Sequence, residues 1–339
     1  STLDMIGRAK ELAERCGQRD VLIDILWFEW SALATSCQGE AAAPLAMELR
    51  RLTADDPRPE VRATGHQVYA VLCWGAGRIA EAVEHLDLAL ALMAEGEPPA
   101  DPFAFERHMV SNTFWIWHHA VQGDLTPADA WARFDALIEE MPDRFAVASI
   151  CGFAATTAVT LGRWDQVDRY AAIGTEADAG GQFTFWGGQF LMQRGIFQAW
   201  QGRVDEALST FAEGKARYTG IGGRSAVSTF EATVGLLTAL AGRLEEGRAK
   251  VEAARLELET YGERWNEPIV LLAEGVCAAV GGDRAQAADR LGRAVEVADA
   301  QGSHAVADRV RAMAGELGVD LGTRESPGHP LDARSPGLP

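Results

Sequence analysis

Gly202-Arg203-Val204-Asp205-Glu206-Ala207-Leu208-Ser209-Thr210-Phe211-Ala212-Glu213-Gly214 is the stretch whose reading decides the fold. A glycine tolerates the left-handed backbone that ends one helix, and the residues after it start the next. Ala207, Phe211 and Gly214 then follow at offsets of four and three, which places them on one helical face. Small residues at the two ends of that face let a paired helix approach closely, and the larger one between them fills the gap.

The same text recurs on either side. Gly77-Arg78 is followed by Ala82, Leu86 and Ala89; Gly242-Arg243 by Gly247, Val251 and Ala254; Gly282-Asp283 by Ala287, Leu291 and Ala294. Weaker copies begin at Gly39-Glu40, Gly123-Asp124 and Gly162-Arg163, with successive turns roughly 38 to 46 residues apart, the range of two-helix repeats. Prolines at 57, 59, 98, 102, 127 and 142 fall at handovers between repeats or at helix starts, and no segment reads as a strand. The expected architecture is all-α: a right-handed superhelix of about seven helix-turn-helix pairs over residues 1–320. An opening helix near Asp4 to Cys16 and a closing helix near Ala305 to Leu317 cap it. The tail over 321–339 is rich in Pro and Gly with no apolar period, and reads as disordered.

Gly77, Ala82, Leu86 and Ala89 resemble the second half of a tetratricopeptide repeat. The wider text resembles the C-terminal helical-repeat region of large bacterial signal-transduction ATPases, among them antibiotic-pathway activators of actinomycetes and multidomain adenylyl cyclases. Trp27-Phe28-Glu29-Trp30, Gly77 to Ala82, Gly195 to Ala207 and Pro268 to Glu274 carry this resemblance, which spans residues 4 to 317. It implies a sensor or docking arm that controls an ATPase and an output domain. Neither has a motif here: there is no GxxxxGK[ST] phosphate loop and no DNA-binding helix pair. The chain is therefore expected to be a fragment of such a regulator or a free-standing relative.

Composition narrows the function. The chain has 339 residues, 47% hydrophobic, with a net charge of −18 and a sequence pI near 4.8. Phosphate neutralisation needs clustered Lys and Arg, so this balance opposes direct nucleic-acid binding. Mean hydropathy of −0.07, and apolar segments such as Phe145 to Leu161 that are interrupted by Gly and Thr, argue against a membrane protein. With no signal sequence, the expected compartment is the cytoplasm. Five scattered cysteines with no CxxC pair read as small buried hydrophobes.

No HExxH, HxH or GxSxG motif occurs, and no cofactor is implied. The His118-His119 neighbours point about 100° apart on a helix and cannot easily share a metal; one is expected in the core and one lining the groove. Gly180-Gly181 and Gly220 to Gly223 read as connections between repeats. Ten Trp and 13 Phe beside four Tyr concentrate in the first helices of the pairs, which line the inner surface of a tetratricopeptide superhelix. Asn112, Trp115 and His119 share one stripe by their three-four spacing, and Phe185, Gln189, Met192 and Ile196 do likewise beside Trp186. Glu231 would add an acid to the same wall if its helix is oriented alike; the alternative is a solvated position.

Two functions fit such a wall. The first is a regulatory module whose groove takes a protein segment, from a partner or from its own ATPase and output domains. The second is a sensor whose aromatic pocket takes a small natural-product or acyl ligand.

Overall fold

The structure, a computed structural model, describes residues 2–95, 102–141 and 143–322. Among these it is all-α, with no strand. The chain runs α1 Thr2–Arg15, α2 Arg19–Thr35, α3 Gly39–Thr53, α4 Pro59–Gly75, α5 Ile79–Glu95, α6 Pro102–Gln122, α7 Pro127–Glu140 and α8 Arg144–Leu161. It continues α9 Trp164–Ala177, α10 Thr184–Trp200, α11 Val204–Gly220, α12 Val227–Leu240, α13 Leu244–Tyr261, a short 3-10 turn Arg264–Asn266, α14 Glu267–Val280, α15 Arg284–Gln301 and α16 His304–Glu316. Helices pack on their neighbours in sequence order, most closely α4 on α5, α8 on α9, α10 on α11, α12 on α13 and α14 on α15. The prolines at 98 and 142 and the tail from 323 lie outside the described residues.

The one-sided pattern read from the sequence is the buried face. α11 buries Val204, Ala207, Phe211, Gly214 and Tyr218; α13 buries Gly247, Val251, Ala254 and Leu258; α15 buries Ala287, Leu291, Ala294 and Ala298. First helices such as α8, α12 and α14 are buried almost all round because helices flank them on several sides. The small positions are close-contact positions. A Cβ on Gly214 would stand 2.6 Å from the Met192 amide nitrogen, and one on Gly195 2.9 Å from the Ala207 carbonyl oxygen.

Turn glycines 77, 123, 162, 202, 242 and 282 all have positive φ. Gly39 does not; it starts α3, and Cys37 takes the left-handed backbone with φ 54°. Cys37 lies 40 residues before Gly77, so the first turn belongs two residues earlier than the glycine pattern implies. Cys73, Cys151 and Cys277 are buried as expected, whereas Cys37 is half-buried and Cys16 exposed. Among the described residues α8 is long and apolar enough to cross a membrane, closer to that length than the sequence reading allowed; here it is mostly buried among α6, α7, α9 and α10.

The chain also returns onto itself. The Thr35 carbonyl, at the C-terminus of α2, accepts both the Arg224 and Ser225 amides of the α11–α12 connection, at 3.0 and 3.1 Å. Trp265 packs its ring 5.2 Å from Trp74 and 5.1 Å from Trp117. Arg309 of α16 donates to the Val159 and Thr160 carbonyls at the end of α8, at 2.8 and 2.7 Å, across 150 residues of sequence. These contacts pack later helices of the array back onto earlier ones: the α11–α12 connection on α2, the 3-10 turn on α4 and α6, and α16 on α6 and α8.

Candidate functional site

The inner face of the array forms a partly open cavity of about 510 Å³. Its wall is made by α2 (Trp27, Trp30), α4 (Trp74), α6 (Phe114, Trp117), α8 (Phe145, Phe153) and α10 (Phe185, Trp186, Gln189). The α11–α12 and α13–α14 connections complete it with Tyr218, Ser225, Tyr261 and Glu263. First helices line the inside because each places its second helix outward, so the inner face carries whatever is left uncovered.

The aromatics form a connected lining. Ring centroids run Trp265–Trp74 5.2 Å, Trp74–Trp117 4.7 Å, Trp117–Phe114 5.7 Å, Phe114–Phe153 5.0 Å, Phe153–Trp186 5.3 Å, Trp186–Phe185 4.7 Å and Phe185–Tyr218 4.8 Å. Several buried polar atoms in and around this lining have no hydrogen-bond partner: the indole N–H groups of Trp74 and Trp117, Oε1 of Gln189 and both ring nitrogens of His118. His118 is fully buried, its ring 3.7 Å from Trp74, and burial holds its imidazole well below the usual value.

Glu263 is the acidic residue of the cavity. Its Oε1 accepts from Ser225 Oγ at 3.0 Å and Trp265 Nε1 at 3.1 Å, and its Oε2 from the Ala226 amide at 2.9 Å and Asn266 Nδ2 at 2.8 Å. The Thr229 hydroxyl donates to Asn266 Oδ1, which fixes the amide so that its NH₂ faces the carboxylate. Burial pushes the Glu263 carboxyl up from its ordinary value, against the pull of these donors. Burial and then the Glu263 charge push the Cys37 thiol upward, so Cys37 is no ready thiolate nucleophile.

The structure divides the residues expected at the site. Phe185, Trp186 and Gln189 line the cavity; Gln189 Nε2 also donates to Thr156 Oγ1 at 3.1 Å. Met192 is fully buried between α10 and α11 and does not reach the cavity. The stripe Asn112, Trp115 and His119 faces away from it. Trp115 Nε1 donates to Asp87 of α5 at 2.7 Å, His119 Nε2 lies 3.0 Å from the same carboxylate, and Asn112 bonds back to the His108 carbonyl at 3.0 Å. The inner face of α6 is offset by one and two residues from that stripe, at Phe114 and Trp117.

Glu231 is neither on the wall nor solvated. It is 2% exposed and paired with Lys215 at 2.9 Å and Lys250 at 3.7 Å. Burial would lower the Lys215 ammonium, but Glu231 and Glu257 outweigh it and raise it. Of the two histidines, His118 takes the core position, and His119 sits against α5 instead of in the groove. Sequence reasoning did not find Phe145, Phe153, Tyr218, Tyr261 or Glu263. They sit on a helix read as uniformly apolar, at the ends of second helices or in connections, where no periodic pattern marks the inward side.

No protein-family model matches the chain, and a search of curated proteins finds none similar to it.

Proposed function

We propose that this chain is a non-catalytic binding module whose inner cavity holds a small, largely apolar molecule and reports its occupancy to a larger bacterial regulator. The cavity itself carries this reading. At about 510 Å³ it falls within the range of small-molecule sites, aromatic side chains from five helices line it, and Gln189, Ser225 and Glu263 bring a few polar groups to its wall. The regulatory part of the reading is supported by the resemblance to repeat arms of signal-transduction ATPases. A protein segment lying along the inner face is less well supported, because the cavity there has the volume of a small-molecule site.

A titration followed by intrinsic Trp fluorescence and thermal unfolding tests it, since a ligand of the native state raises the melting temperature. Leu72→Trp, which fills the cavity from α4, should abolish both responses while the unliganded protein stays folded. Trp115→Ala, outside the cavity, should keep them. Loss of binding in Trp115→Ala with retention in Leu72→Trp would place the ligand elsewhere.

Protein docking keeps one specific support on the outer edge. Trp200, Leu240 and Val280 are the last residues of α10, α12 and α14, stand 40 residues apart, and are exposed. An apolar partner surface, such as an output domain of the same regulator, fits this stripe. Trp200→Glu should then disturb assembly and leave ligand affinity unchanged.

A further inference from the structure

The cavity has a one-sided charge balance. None of its lining residues is Lys, Arg or His, while Glu263 contributes a carboxylate. No cation among the described residues pairs with Glu263. Arg224, close by in the chain, instead lies 5.3 Å over the Tyr261 ring and does not line the cavity. Three of the four groups bonded to Glu263 (an indole N–H, a backbone N–H and an amide NH₂ fixed by Thr229) can only donate. Only the Ser225 hydroxyl could turn to accept from a protonated carboxyl, whereas all four groups can donate to a carboxylate, so the bonding favours the charged form.

We propose that the cavity selects a lipophilic organic cation without N–H donors, quaternary or charge-delocalised, with an aromatic or alkyl body. The inference rests on the reading of this cavity as the ligand site. Aromatic faces attract cations through their quadrupoles, most strongly where water is excluded, and Trp is the best of them. Glu263 adds a carboxylate to that lining. Its two oxygens already accept two hydrogen bonds each, which uses their capacity, so a primary ammonium would leave its own N–H groups unsatisfied beside it. A cation with no N–H loses nothing there. An anion would be desolvated against π faces and a carboxylate with no basic residue to meet it. Acyl acids and nucleotides are therefore poor candidates.

Three probes of one shape and different charge test this on the unaltered protein. They are tetraphenylphosphonium, its neutral isostere tetraphenylsilane and the anion tetraphenylborate, each followed by Trp quenching and melting temperature in high salt, which suppresses surface attraction to an acidic protein. The expected order is cation first, with an affinity at least about tenfold above the neutral probe and the anion weakest, as cation–π and carboxylate attraction together require. Glu263→Gln should remove most of the gap between cation and neutral probe and leave the neutral one bound. Equal binding of cation and neutral probe, or preference for the anion, overturns the charge selectivity while the cavity remains the ligand site. Binding of none of the three overturns both readings.

Discussion

His118 shows how one residue's surroundings set a property of the whole chain. Its imidazole is buried among Trp74, Phe114 and Trp117 with neither nitrogen paired, and burial lowers it well below the usual 6.5; burial also lowers His66, His85 and His108. The unfolded chain therefore takes up protons first as pH falls. Stability is fully present above about pH 6.5 and is lost as pH drops below it toward the folded-state values. Thermal melts between about pH 7.5 and 5.5 should show this slope, and His118→Leu should flatten it. An unchanged slope in His118→Leu would mean that the other histidines carry the effect. Glu231 is the contrasting residue: it is equally buried, but two lysines keep it paired, so it is a structural ion pair between helices.

At the scale of the helix, small residues decide how closely partners meet. Gly214 of α11 faces Gly188 and Met192 of α10 with no room for a Cβ, whereas Gly202 in the turn before α11 has open space around it but φ 79°. These glycines should fail differently. Gly214→Val must push α10 and α11 apart and should cost about 1–3 kcal/mol by overpacking. Gly202→Ala meets no neighbour and should cost only about 1–2 kcal/mol from left-handed backbone strain. Chemical denaturation distinguishes them. Equal and negligible losses would show that the α10–α11 interface relaxes freely. The Thr35 carbonyl belongs to the same scale: a helix C-terminus leaves carbonyls without intrahelical partners, and the Arg224 and Ser225 amides supply two donors to this one.

At the scale of the molecule, closure makes the array more than a sum of neighbours. A repeat array ordinarily touches only adjacent units and can unfold from its ends. Here Arg309 binds the C-terminus of α8, where the helix dipole also favours its charge, and burial draws its guanidinium down to about 10, still protonated at neutral pH. Circular dichroism and Trp fluorescence should therefore unfold together in one transition. Arg309→Leu removes the donor of the Thr160 carbonyl, while Val159 keeps the Gly162 amide, and should cost about 1–3 kcal/mol, with the two signals separating as α16 releases first. Coincident, unshifted curves in that variant would show that α16 is not a fastening of the closed form.

The sequence by itself determined the all-helical architecture, the positions of nearly all the turns and the buried face of each second helix. These follow from local geometry: a left-handed glycine, an offset of four and three, and a small residue wherever backbones meet. The aromatic load of the first helices was equally legible, and so were Phe185, Trp186 and Gln189 as inward residues. Which side of α6 faces inward was not, because Asn112-Trp115-His119 and Phe114-Trp117 are both helical stripes, and Asp87 of α5 claims the first. Only the tertiary structure decided that later helices pack back on earlier ones, that Glu263 and Tyr218 meet the aromatics of α4 to α10, and that together they line a cavity. Those contacts join residues far apart in the chain, and no local period encodes how the rotations of successive helix pairs add up.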